Sequence, residues 1–278
     1  MVKKNISNQE GASVITISPQ LLIIIAIIFS GVLISLSIFL SNSNNTTTAQ
    51  TTGNNAEQTS DTQQNDTSST VSIDQIKALF DGDSIKFGDK NNKLLFVEFS
   101  DPSCPYCHLA GGKNPDLNKQ MGQQFLLKAD GGSYVAPVEE MRKLVNEGKA
   151  SFVWKFTTGH GNGELATEAL YCAYEKGKFW EAHDLLMSNS GYSLINDTVK
   201  NDRSQSGTMA NFLKTAVDST FMKNCLDSKK YTSKISSDQV EGSSLGVSGT
   251  PGFFVNTTNF AGAYSFTDME SLVNDLLK

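Results

Sequence analysis

The run LLFVEFSDPSCPYCHLA, from Leu94 to Ala110, constrains the chain more than any other stretch. The apolar segment LLFVEF is short and rich in β-formers, which predicts a strand buried on both faces, ending near Ser100. A helix is expected from Cys104, because Pro105 suits the first helical position, where its missing N–H costs nothing. This places Cys104 at the N-cap and Cys107 one turn inside, near enough for a disulfide. Unpaired amide hydrogens and the helix dipole at this end stabilise an anion. The Cys104 thiolate is therefore favoured, both as nucleophile and as leaving group. Cys107 should stay less acidic and resolve mixed disulfides.

Other readings of these residues compete with a redox pair. The two cysteines can be an unreactive buried pair, although a helix N-terminus is a poor place for one. A zinc half-site needs a second ligand pair, and Cys172, Cys225, His160 and His183 show no metal spacing. CPYCH is also the C-x-x-C-H string that attaches c-type haem, which would make the chain an electron carrier. Proline after the first cysteine and a buried strand before it fit redox chemistry better. No cofactor is therefore expected.

The first 72 residues differ in composition from the rest. Leu21 to Leu40 is twenty residues without a charge, and at 1.5 Å per residue it spans about 30 Å, the thickness of the hydrocarbon layer. Lys3 and Lys4 precede it and no basic residue follows until Lys77, so the positive-inside bias predicts residues 1–20 in the cytoplasm and the bulk of the chain outside. The apolar stretch is longer than a signal peptide needs, which favours an uncleaved anchor over 21–40; a cleaved, secreted or periplasmic form is the alternative. Residues 41–72 read as a disordered tether, since Asn42 to Thr70 is built of Asn, Thr, Ser, Gln and Ala and cannot offset its own ordering. The globular part is assigned to 73–278. Removing Lys3, Lys4 and the acids Glu10, Glu57, Asp61 and Asp66 takes the net charge from −6 to −4. That excludes a basic nucleic-acid surface and leaves membrane attachment to the anchor. With 16 Phe in the chain there is ample apolar material for a core.

Within the globular part, periodicity predicts a helix over 138–147, a strand over 152–157 and one long helical stretch over 165–187. Further helices are expected around Met209 to Val217 and Phe221 to Leu226. Phe253 to Asn256 and Phe260 to Tyr264 read as two strands joined by a turn. Thr267 and Glu270 form a capping-box pattern at the start of a final helix with Met269, Leu272, Val273, Leu276 and Leu277 on one face. His183 lies in a helix and His160 in a Gly-rich loop, and neither has an evident partner.

With two later stretches added, the chain resembles the DsbA family of thiol-disulfide oxidoreductases, a branch of the thioredoxin superfamily, over roughly residues 94–278. The residues that carry the resemblance are VEFSDPSCPYC, the helical ALYCAYEKGKFWEAHDLL, and LGVSGTPGFFVN. It implies a thioredoxin-like α/β fold with a helical insertion over about 159–246. It also implies an enzyme whose redox disulfide is Cys104–Cys107, with Glu98 as a buried acid of raised pKa that exchanges a proton with Cys107. Pro105, Tyr106, Thr250 and Pro251 are implied as substrate-binding, the bond before Pro251 being cis and the loop lying against the Cys104 sulfur. An ordinary turn at Pro251, and a Glu98 facing water at a strand edge, are the plainer readings. Cys172 and Cys225 resemble positions that the family staples with a second disulfide; two small buried hydrophobes are the alternative.

The chain also departs from the family. More residues lie between Cys107 and Phe152 than the family core needs, broken by Gly111, Gly112, Gly131 and Gly132. Tyr106 stands where strong oxidants of the family carry a histidine, so a milder oxidant is expected. The implied function is oxidation of cysteine pairs in exported proteins by a membrane-anchored enzyme, served by a membrane redox partner. A reductase or isomerase of the same fold is the alternative.

Overall fold

The computed structural model describes residues 71–278. The expected cytoplasmic segment, the anchor over 21–40 and nearly all of the linker over 41–72 lie outside the described residues. Among the described residues no helix is long and apolar enough to cross a membrane.

Five strands form one mixed sheet: β1 Ile85–Phe87, β2 Leu95–Ser100, β3 Ser151–Phe156, β4 Gly252–Val255 and β5 Thr258–Ala261, in the order β1-β3-β2-β4-β5. Only β2 and β3 run parallel. Every side chain of β2, β3 and β4 is buried, as central strands covered on both faces require. Alternation along β2 sends Leu95, Val97 and Phe99 to one face, where they pack with Ile76, Phe80, Val153 and Phe254. Phe96, Glu98 and Ser100 go to the other, which meets the larger core.

Helices cover both faces. On the first lie α1 Ile73–Ala78 and a long helix that enters before β4. On the second lie α2 Pro105–Gly111, α3 Pro115–Gln120 and α4 Pro137–Asn146, which together occupy the stretch between β2 and β3. The active-site helix is thus short: α2 has seven residues, closes at Gly112, and is followed by a separate excursion through α3. Between β3 and β4 run α5 Glu164–Glu175, α6 Phe179–Leu186, α7 Asn189–Ser193, α8 Ser206–Phe212, α9 Ser219–Asp227 and α10 Thr232–Ser244; α11 Phe266–Leu277 ends the chain. The fold is thioredoxin-like, with a helical insertion.

Several local expectations need correction. The stretch over 165–187 is two helices, because Gly177 takes the left-handed φ of 65° and breaks the helix between α5 and α6. The helix near Met209 stops at Phe212, leaving Ala216 and Val217 in turns. The last strand is Thr258–Ala261 and not 260–264, since pairing of β5 with β4 ends at Ala261 opposite Gly252. The final helix is capped by Ser265 with Asp268, two residues earlier than the Thr267–Glu270 pattern.

Helix α10 has no apolar period that would mark it, and charge holds it to the sheet. The buried Lys155 on β3 pairs with Asp238 at 3.4 Å and Glu241 at 2.6 Å, and donates to Ser84 Oγ at 2.8 Å. Asp238 also accepts from Tyr171 Oη at 2.5 Å and from the Phe156 amide at 3.2 Å. These partners satisfy a buried cation that would otherwise be very costly.

Cys172 on α5 and Cys225 on α9 are joined, with Cα atoms 6.2 Å apart and 53 residues of separation. Cross-linking so long a loop removes denatured-chain entropy equivalent to about 4 kcal/mol. Replacing both cysteines with alanine should lower unfolding free energy by about 2–4 kcal/mol in urea titrations and leave Cys104 alkylation unchanged. An unaltered urea midpoint would show that the insertion does not rely on this staple.

Candidate active site

Cys104 is the N-cap of α2, with extended backbone at φ −78° and ψ 125°, and Pro105 occupies the first turn. Its Sγ lies 3.5 Å from the Thr250 carbonyl oxygen, and the Thr250–Pro251 bond is cis. The loop before β4 and the start of α2 therefore meet at one sulfur. The two sulfurs are not bonded to each other here, and both cysteines pack with Met187. Cys104 is 5% exposed and Cys107 is fully covered.

The two sulfurs have opposite electrostatics. Hydrogen bonding from Cys107 is the main force holding the Cys104 thiol down to about 6; burial opposes it, and the Thr250 side chain and the Cys107 and Tyr106 amides assist. The Thr250 hydroxyl is buried without a partner, so it is free to donate to a thiolate. Cys107 is pushed well above the usual thiol range, first by burial and then by Cys104 beside it, against Ser100 and the Asp101 amide. That amide donates to Cys107 Sγ at 3.4 Å. At neutral pH one sulfur is anionic and the other neutral.

Asp101 organises the surroundings and was not singled out by its sequence position. One carboxylate oxygen accepts from the Ser103 amide and hydroxyl at 2.8 and 2.6 Å. The other accepts from the Gly159 and His160 amides, both at 2.8 Å. The Gly-rich loop after β3 is thus clamped against the cysteines. A Cβ at Gly159 would lie 1.7 Å from Thr250 Oγ1 and 3.2 Å from Cys104 Cβ, so only glycine fits. His160 contributes its backbone to this clamp. Tyr192 on α7 stacks edge-on to His108 at 4.8 Å, and its hydroxyl pKa is raised by burial and then by the charge of Cys104. Tyr106 is 43% exposed beside Cys104 and meets Phe125 edge-on at 5.9 Å. Phe125 and Tyr134 in turn line a surface cavity of about 330 Å³ with Ala261 to Tyr264.

Glu98 does not face water. It is fully buried on the α2 side of β2, in register with Trp154 of β3 and Phe253 of β4. Burial raises its carboxyl to about 7, and His183 and Ser100 only partly oppose this.

The CPYCH string does not suit haem attachment in this fold. His108 is fully buried, and its ring nitrogens lie 2.9 Å from the Met187 carbonyl and 2.8 Å from the Pro102 carbonyl. Neither nitrogen is available to an iron. Burial also holds the imidazole down to about 4. Among the described residues there is no cluster of His, Cys, Asp and Glu suited to a metal.

Folding raises the Glu98 carboxyl from 4.5 to about 7, so the native state binds this proton more tightly than the unfolded chain. The stabilisation is complete below about pH 4.5 and is lost as pH rises through 7. At about 1.4 kcal/mol per pKa unit the total is about 3 kcal/mol. Glu98→Gln should therefore unfold with a flatter pH dependence between pH 5 and 8 and gain stability relative to the parent at pH 8. Parallel urea midpoints for the two proteins across that range would place the carboxyl's titration elsewhere.

Comparison with known proteins agrees with this architecture. The family model described as Thioredoxin matches residues 136–275, half of the chain. Among solved structures, BdbD from Bacillus subtilis superposes with a TM-score of 0.51 at 16% identity, covering 70% of this chain and 93% of its own. Alpha-DsbA1 from Wolbachia pipientis superposes with a TM-score of 0.52 at 17% identity, covering 73% and 96%. A curated relative, the Na(+)/H(+) antiporter NhaA 3 of Salinispora tropica, is 26% identical over 189 residues, which is 67% of this chain and 24% of that protein. The chain therefore spans about a quarter of the length of the curated relatives it matches. With its two thiols at the N-terminus of α2 and the Thr250–Pro251 loop against them, the chain belongs to the thioredoxin family and has the fold of the DsbA-like thiol-disulfide oxidoreductases.

Proposed function

We propose that this protein is a thiol-disulfide oxidoreductase that acts outside the cytoplasm, held at the membrane by residues 21–40, and oxidises cysteine pairs of exported proteins. The observation that carries the reading is the asymmetry of the two sulfurs: Cys104 at a helix N-cap with its pKa held to about 6, and Cys107 fully buried with its pKa raised.

In the oxidising direction a substrate thiolate attacks Cys104 of the Cys104–Cys107 disulfide. The new bond joins substrate sulfur to Cys104, and Cys107 leaves as a thiolate that takes a proton from the Glu98 carboxyl. A second substrate thiolate then attacks the substrate sulfur of the mixed disulfide. The substrate disulfide forms and Cys104 leaves as a stabilised thiolate. The enzyme ends reduced by two electrons, and a membrane redox partner must remove them. Pro105, Tyr106, Thr250 and Pro251 surround the attacked sulfur and are the surfaces that receive the substrate chain. The run of uncharged residues over 21–40 and the two lysines before it support placing the catalytic domain outside.

The direction of flow follows from how strongly the reduced form is stabilised. A Cys104 pKa near 6 lies between thioredoxin, about 7, and DsbA, about 3.5. The uncharged Tyr106 gives the thiolate no cationic neighbour. Both features support an oxidant of intermediate strength, and equilibration with glutathione should give a potential between about −270 and −120 mV. A value below that interval would favour the reductase reading. Cys107→Ser should accumulate mixed disulfides with a dithiol peptide, and Cys104→Ser should accumulate none. Equal trapping by both variants would contradict the assignment of Cys104 as nucleophile.

A further inference from the structure

The loop between β3 and α5, Gly159 to Gly163, is held from two sides. On the side of the cysteines, the fully buried Asp101 accepts from the Gly159 and His160 amides at 2.8 Å and from the Gly161 amide at 3.4 Å. Ser103, whose hydroxyl donates to Asp101 at 2.6 Å, accepts from the Asn162 amide at 3.1 Å. On the side of the insertion, two asparagines reach the loop from the segment after α7. Asn162 Nδ2 donates to Asn196 Oδ1 at 3.2 Å, and Asn201 Nδ2 donates to the Gly161 carbonyl at 2.8 Å. Asn196 Nδ2 closes the circuit on the Ser103 carbonyl at 3.1 Å, one residue before Cys104. Ordering a loop so rich in glycine costs more chain entropy than ordering other residues.

Two of these glycines admit neighbours that a side chain would exclude. A Cβ on Gly163 would lie 1.8 Å from Asp101 Oδ1, so the carboxylate sits against bare backbone. A Cβ on Gly159 would lie 1.7 Å from Thr250 Oγ1 and 3.2 Å from Cys104 Cβ. The Thr250 hydroxyl therefore fills the notch left by the missing Gly159 side chain, on the flank of Cys104. That hydroxyl is buried with no other partner, and the Thr250 carbonyl lies 3.5 Å from Cys104 Sγ. A buried hydroxyl left unpaired is costly, and a thiolate at Cys104 is the acceptor that satisfies it. The place of Gly159 backbone thus decides where the hydroxyl can point.

We infer that Asp101 and Asn196 are positioning residues for the disulfide exchange proposed above: holding the Gly159–Asn162 loop from opposite sides, they keep the Thr250 hydroxyl aimed at the Cys104 sulfur. When the substrate disulfide forms, the electron pair of the broken bond stays on Cys104 Sγ. The Thr250 hydroxyl then donates a hydrogen bond, and no proton, to that thiolate. Both side chains act through the loop and Thr250 and not on the sulfur itself. The insertion thereby takes part in the acidity of Cys104, although Asn196 lies far from it in sequence. The titratable groups facing Cys104 are Cys107 from its own helix and Tyr192 from α7, with Asp197 beyond Tyr192. Asp101 and the exposed His160 flank the loop.

The pH midpoint of Cys104 alkylation, read on the reduced full-length protein without substrate, separates this role from a plain charge effect. Removing the negative charge of Asp101 would by itself ease ionisation of a neighbouring thiol and lower the midpoint. Losing the aim of the Thr250 hydroxyl has the opposite sign. Asp101→Asn should therefore raise the midpoint by about one unit, and Asn196→Ala, which changes no charge, should raise it by less. In the Thr250→Val background neither substitution should add a shift, because the hydroxyl they aim is gone. A midpoint that falls in Asp101→Asn, or stays in place in Asn196→Ala, overturns the positioning role. So does a shift that persists in the Thr250→Val background. Should Asp101→Asn fail to fold, Asn196→Ala and Asn201→Gly decide by the same criterion, glycine keeping the left-handed backbone of position 201 at φ 62°. If the parent protein fails to exchange disulfides with a dithiol peptide, the oxidoreductase reading falls. The alkylation midpoints still decide separately whether Asp101 and Asn196 aim the hydroxyl.

Discussion

The difference in surroundings between Cys104 and Cys107 depends on where β2 ends. A strand buried on both faces delivers the chain to the top of the sheet, and the N-cap of α2, Cys104, lies four residues past Ser100. The first sulfur then caps a helix, where hydrogen bonding from Cys107, the Thr250 hydroxyl and two backbone amides favour negative charge. The second points back beneath the helix into the core and has only Ser100 and the Asp101 amide to support ionisation. Three residues of separation thus become a gap in acidity, and that gap assigns one sulfur to attack and the other to resolution.

Around this point the chain commits buried charge with different partners on the two faces of the sheet. On one face Lys155 is met by Asp238, Glu241 and Ser84, and the resulting network fastens the last helix of the insertion. Glu98, on the other face, is buried with no such network of partners around it. Alternation along adjacent strands keeps the two apart, since Glu98 is in register with Trp154 and Lys155 with Phe99. The satisfied cation stabilises structure, and the unsatisfied acid keeps a proton available near neutral pH.

The insertion adds more to the site than bulk. Met187 packs against both cysteines from it, and Tyr192 meets His108 of α2 edge-on. The loop that leads into it is fastened by Asp101 against Cys104 and Thr250. The disulfide between Cys172 and Cys225 ties α5 to α9 within the same layer. Much of the scaffold behind the two sulfurs is therefore held by segments that follow β3, far from them in sequence.

The local elements that create the reactive sulfur were legible in the residues. LLFVEF followed by CPYC determined a buried strand, a proline-started helix and an N-cap cysteine, because each depends on neighbours within a few positions. The resemblance carried by SGTPGFF and the helical stretch after Leu165 extended this to the α/β fold with its insertion. Only the tertiary structure decided which long-range groups complete the site. Asp101 reads as an ordinary turn acid until it gathers the amides of Gly159 and His160. Helix α10 has no hydrophobic period, so a buried ion pair and not its pattern places it. His183 is one polar residue on a helix until the packing of α6 brings it beneath α2. Periodicity and capping are short-range properties of the chain, whereas the meeting of Cys104 with Thr250, and of Asp101 with the Gly159 amide, depends on how separate elements pack.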